Sequence, residues 1–138
     1  MSRVMGVDFG KKRVGLALSD DRRVHAFPLE VVGGKDRYKL HSRLVELVSE
    51  HMVASVVVGL PLTMAGEIGS QARKTEEFAR RLQLKLGDGV VVELWDERLS
   101  STQADRGRPR GARGERPEGT RDMMAAVVIL QSFLDRKG

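Results

Sequence analysis

The apolar residues of this chain fall into short runs, and the character of what separates them changes part-way along. Val4–Phe9, Val14–Leu18 and Leu29–Val32 are joined by short polar links, the first being Gly10-Lys11-Lys12-Arg13. Links this short favour antiparallel pairing, so these runs predict a three-stranded meander. From Asp36, a plausible N-cap, Leu40, Leu44, Leu47 and His51 then recur at helical spacing. Val53–Val58 follows, a near-continuous apolar run of the kind buried on both faces. A second helical stripe holds Ala72, Thr75, Ala79, Leu82 and Leu86, with Ser70 as candidate N-cap and Gly87 as its stop. Val90–Trp95 predicts another buried strand, followed by a short helix from near Ser100. Thr120 can cap a last helix that turns Ala125, Ala126, Ile129, Leu130 and Phe133 inward.

The order β-β-β-α-β-α-β-α-α predicts an α/β fold. Its mixed five-stranded sheet has three antiparallel strands, then parallel ones, flanked by helices. At 138 residues the chain is about one domain long, so residues 1–138 are expected to form a single unit without a second lobe. No apolar run approaches the roughly 20 residues of a membrane span, and MSRVMGVDFG lacks a signal-peptide core. A cytoplasmic protein with no membrane partner is expected. The absence of cysteine excludes disulfides, thiolate metal sites and cysteine nucleophiles.

Charge narrows the partners. Lys and Arg number 24 against 19 Asp and Glu, a net +5, and 17 of those cations are arginine, whose planar fork suits phosphate. A polyanion such as nucleic acid is the expected partner, in competition with a merely solvated basic surface. Aromatic residues make up only 4%, so binding should rest on backbone phosphates rather than base stacking. The cations concentrate in residues 105–118, DRGRPRGARGERPE, which carry five arginines and no large apolar residue. That composition predicts a mobile basic loop.

Three acids stand at the ends of elements. Asp8 lies near the end of the first strand, where a carboxylate needs a partner or a function. Asp96 and Glu97 end the last strand, where open α/β sheets place their sites. Alternation along a strand prevents both from joining one cluster unless the strand has already ended, and leaves open which one does. Asp122 sits in the first turn of the last helix, in i+3, i+4 and i+7 relation to Ala125, Ala126 and Ile129. It could simply complement the helix dipole, yet its position is at the edge of the buried face. Converging carboxylates repel one another and favour a divalent cation. Oxygen-only donors point to Mg²⁺ or Mn²⁺ rather than zinc.

The segments VMGVDFGKKRVGLALSD, VVGLPLTMAGEIGSQAR, WDERLSS and DMMAAVVILQSFL, in that order, resemble the YqgF/RuvX family. Its members are described as Holliday-junction resolvases and as pre-16S ribosomal RNA nucleases, within the RNase H-like superfold. The resemblance covers nearly the whole chain outside the basic loop. It implies Asp8, Glu97 and Asp122 as catalytic acids and metal ligands, selecting Glu97 over Asp96. Thr63 and Ala65 depart from the family pattern, which has asparagine and aspartate there. The segment before Asp122 also departs, being rich in Arg, Gly and Pro. Gly59-Leu60-Pro61 matches, and reads as a tight strand-to-helix turn beside the site.

The resemblance implies metal-dependent phosphodiester hydrolysis with two Mg²⁺ or Mn²⁺ ions, acting on an rRNA precursor or on branched DNA. Lys11, Lys12 and Arg13 in the first turn, Arg98 beside the acid, and Arg106, Arg108, Arg110 and Arg113 in the basic loop could hold flanking phosphates. A monomer suffices for RNA end processing, whereas paired junction cuts require a homodimer. Two other readings compete. DFGKKRVGLALSD is also similar to the first phosphate loop of the actin, hexokinase and heat-shock chaperone ATPases, which need a duplicated domain that this chain has no room for. A non-catalytic nucleic-acid binder would have to tolerate three acids beside a phosphate.

Overall fold

The computed structural model describes residues 2–98 and 120–137. In chain order the elements are β1 (Arg3–Phe9), β2 (Arg13–Ser19), β3 (Ala26–Gly33), α1 (Arg37–Glu50), β4 (Val53–Leu60), α2 (Ser70–Leu86), β5 (Val91–Asp96) and α3 (Thr120–Lys137). The sheet order is β3-β2-β1-β4-β5. β2 pairs antiparallel with both β1 and β3, while β4 pairs parallel with β1 and β5. The expected mixed sheet is therefore the observed one.

Strand alternation sorts the apolar residues between two layers. Met5, Val7, Leu16, Val56 and Val58 pack under α1 and α2 against Leu40, Leu44, Phe78 and Leu82. Val4, Ala17 and Val57 pack on the other face against Ala126, Ile129, Leu130 and Phe133 of α3. β4 is thus buried on both sides, as its sequence suggested.

Several local expectations are corrected. β5 is an edge strand among the described residues, with Val91 and Leu94 exposed, not a strand buried on both faces. Ser70 does not cap α2: Gly69 holds that position, without a side-chain hydrogen bond. His51 is the C-cap of α1, and His41 is buried in the core instead. The second helix also buries Phe78, which its stripe omitted. Asp36 does cap α1, accepting from the Lys39 amide at 3.1 Å. The helix near Ser100, the 105–118 loop with Arg106, Arg108, Arg110 and Arg113, and any contact of the Thr120 side chain lie outside the described residues.

Candidate active site

Asp8 stands one residue before the end of the central strand, opposite Gly15 of β2 in the antiparallel register. On its other side β4 runs parallel, with Val7 beside Val58, so Gly59 follows level with Asp8. Both flanking positions lack a side chain because their space is taken. A Cβ on Gly15 would overlap the carbonyl oxygen of Asp122, and one on Gly59 would come within 2.6 Å of Ile129 Cδ1 and 2.8 Å of Glu97 Cγ. These two glycines let the first turn of α3 and the Glu97 side chain close in over Asp8. Gly59 therefore serves close packing, and the expected tight turn is not found, since α2 begins only at Ser70.

Glu97 reaches Asp8 because the strand has ended. Its amide donates to the Leu60 carbonyl at 3.0 Å, just past the last paired residue of β5, Asp96. The Asp8 and Glu97 carboxyl groups lie close enough that each changes how firmly the other holds its proton. A hydrogen bond between them would need one proton, and the surroundings favour retaining it. Burial, then the Asp8 charge and hydrogen bond, then Asp96, push the Glu97 carboxyl up to about 7. Burial also raises Asp8, with repulsion from Asp122 adding to it and the Glu97 hydrogen bond opposing it.

Asp96 stays out of this cluster. Its carboxylate accepts from the Arg98 guanidinium at 2.8 and 3.1 Å and from the Arg98 amide at 2.9 Å, which holds it below the usual carboxylate range. The third acid, Asp122, lies half-buried in the first turn of α3 and accepts from Arg13 Nε at 3.0 Å. Arg13 and Arg98, expected to face phosphate, are thus each engaged with a carboxylate. Lys11 and Lys12 are exposed on the β1–β2 turn.

Trp95 is a contributor that the sequence reading overlooked. Its indole Nε1 donates to Ser132 Oγ at 3.2 Å, and its ring meets Phe133 edge-on at 5.4 Å. This ties the end of β5 to α3 two residues before Glu97. A large aromatic residue directly before the acidic pair was the available signal. Glycines at alternate positions of apolar strands were the signal for the close approach of α3.

A family model described as "RuvX: Holliday junction resolvase" matches residues 2–136. The chain belongs to the RuvX family. Among its relatives, a protein of Syntrophomonas wolfei is 44% identical over 135 residues, covering 96% of this chain and 94% of that one. One from Anaeromyxobacter sp. strain K is 43% identical over 136 residues, covering 98% of each chain. Both carry the name "Putative pre-16S rRNA nuclease". Of solved structures, Thermus thermophilus RuvC in complex with a Holliday junction substrate superposes with a TM-score of 0.61 at 18% identity, covering 100% of this chain and 97% of that one. That likeness establishes the shared RuvC-like fold.

Proposed function

We propose that this RuvX-family chain is a metal-dependent nuclease that hydrolyses phosphodiester bonds in structured nucleic acid. The leading substrate is precursor 16S rRNA, processed at its 5′ end. The observation that carries the reading is the convergence of Glu97 and Asp122 on Asp8, over the two glycines that flank it.

The donor set fits a hard divalent cation such as Mg²⁺ or Mn²⁺: carboxylate oxygens, half-buried, repelling one another and holding a proton for want of a stronger charge. Among the described residues no group of three acids or imidazoles is yet gathered tightly enough to hold an ion. Filling the site would displace the shared proton from Asp8 and Glu97 and release Asp122 from Arg13. Asp8, Glu97 and Asp122 are the residues that would hold the metal. Bound there, the ions supply Lewis acidity and an acidified water. The chain's own residues position the carboxylates on three elements, while Lys11, Lys12 and the freed Arg13 hold phosphate oxygens on the substrate side. Arg98, Arg106, Arg108, Arg110 and Arg113 would extend that contact.

The family model's own description favours a second reading, cleavage of branched DNA by a symmetric homodimer. A side-by-side assay separates the two. Wild type and Asp8→Asn are given precursor 16S rRNA and four-way junction DNA with Mg²⁺ or Mn²⁺. Trimming of the RNA end, abolished in Asp8→Asn while binding persists, supports the first reading; paired symmetric nicks in the junction support the second. Cleavage of neither by pure wild type overturns the nuclease assignment and leaves a binding protein. Among the described residues no helix is long and apolar enough to cross a membrane.

A further inference from the structure

On the sheet face opposite the carboxylates, α1 and α2 border a cavity of about 320 Å³, at the lower end of the range for small-ligand sites. Arg37 of α1 and Arg73, Lys74 and Arg81 of α2 line it. Its one acid, Glu77, is held by Arg80 at 2.7 Å and by Arg81 at 2.8 Å. Neither Arg73 nor Lys74 is ion-paired among the described residues. Cations gathered this way repel one another, and a bound anion relieves that repulsion.

Two details distinguish this cavity from a solvated basic face. The Arg37 guanidinium is preorganised, lying 4.5 Å over the Phe9 ring with Nη1 donating to the Gly34 carbonyl at 2.7 Å. A fork fixed in this way loses little entropy on meeting phosphate oxygens. His41, only 5% exposed, also lines the cavity. Its Nδ1 donates to the Arg37 carbonyl at 2.8 Å, and its buried Nε2 has no partner among the described residues. With Nδ1 donating, this Nε2 is an acceptor whose unsatisfied burial is costly, and a water carried in with the ligand would donate to it.

The cavity lies back to back with the carboxylates. Phe9 follows Asp8 directly, so strand alternation sends the carboxylate toward α3 and the ring toward α1 and α2. The Gly34 amide donates to the Lys12 carbonyl at 2.8 Å, bringing the start of α1 against the β1–β2 turn. Lys11, Lys12, Arg37, Arg73 and Lys74 therefore form a basic track around the end of β1.

We propose that this cavity binds a backbone phosphate of the substrate strand itself, nucleotides away from a scissile bond held at Asp8. The proposal rests on the nuclease reading above.

The test measures binding of single-stranded RNA in an Asp8→Asn background, with and without R73Q/K74Q. It uses one oligonucleotide too short to pass the β1–β2 turn and one long enough to reach α2. Circular dichroism confirms that the fold is kept. The expected result is a loss of about tenfold in affinity for the long oligonucleotide only, with its salt slope falling by about 0.7 for each phosphate contact removed. Unchanged affinity and slope for the long oligonucleotide overturn the proposal. So does an equal loss for both lengths, which marks a general charge effect. Inorganic phosphate is titrated in parallel. If it binds the cavity but does not compete with the long RNA, the site serves a free anion and the proposal also fails. Because binding is read without cleavage, failure here leaves the catalytic assay untouched, and failure of cleavage leaves this comparison standing.

Discussion

Arg13 Nε and Asp122 Oδ2 meet at 3.0 Å, joining the start of β2 to the first turn of α3 across more than a hundred residues of chain. The pair places a cation where the proposed reaction would need one ion ligand set free and one guanidinium turned toward phosphate. It is exposed enough that its own contribution to stability is small, about 1 kcal/mol or less. Arg13→Gln should therefore lower the unfolding free energy by no more than that in urea titration. Cleavage should fall by about tenfold, because the guanidinium proposed to turn toward a substrate phosphate is lost. A large loss of stability with unchanged cleavage would show that the pair is only a tether.

The Asp8–Glu97 pair makes stability depend on pH with a definite sign. Both carboxyls are raised in the folded state, so the folded protein holds their proton more tightly than the unfolded chain does. Their contribution is present at low pH and is lost as pH rises from the ordinary carboxylate range through about 7. Metal-free protein should thus lose stability over that window, by a few kcal/mol at most. Glu97→Gln should flatten the profile. A flat wild-type profile would refute the shared proton.

Divalent cations should reverse that loss. An ion that binds only the folded state stabilises it in proportion to the logarithm of its concentration over its dissociation constant. The melting temperature of wild type at pH 8 should rise with Mg²⁺ or Mn²⁺, by roughly 2–5 °C for about 1 kcal/mol. Asp8→Asn should show little or no rise. Equal shifts in the two proteins would place the ions elsewhere.

Gly15→Ala tests the approach of α3. The added methyl would overlap a backbone carbonyl, which cannot swing aside as the end of a side chain can. Overpacking of this kind costs about 1–3 kcal/mol and sometimes more. Denaturant unfolding should show at least that loss, and cleavage should suffer with it. A substitution tolerated in both respects would mean that α3 sits further from the sheet.

Much of this was legible in the sequence. Strand directions followed from link lengths, and Asp36 identified its own cap. What escaped notice depended on tertiary placement. Val90–Trp95 is apolar enough to read as central, yet it lies at an edge because nothing among the described residues pairs beyond it. His41 is buried although its residue type gave no warning, since its Nδ1 is satisfied by the carbonyl one turn back. Asp96 and Glu97 could not be told apart by period alone; the Arg98 fork on Asp96 and the turn at Glu97 separate them. Arg13 and Arg98 looked like phosphate ligands because composition counts charges without showing their partners.

The Asp8 and Glu97 carboxyls are anchored very unequally. Asp8 rides on β1, which has a hydrogen-bonded neighbour on each side, whereas Glu97 hangs from the end of an edge strand. Gln83 of α2 bonds the start of β5 through the Val90 carbonyl and the Val92 amide. The far end relies on the Leu60 carbonyl and on Trp95. Local opening begins where pairing is one-sided. The first fluctuation to reach the site should therefore carry the glutamate away and leave the aspartate standing. One side chain is a fixed post and the other a hinged one, so the pair can part without the sheet coming undone.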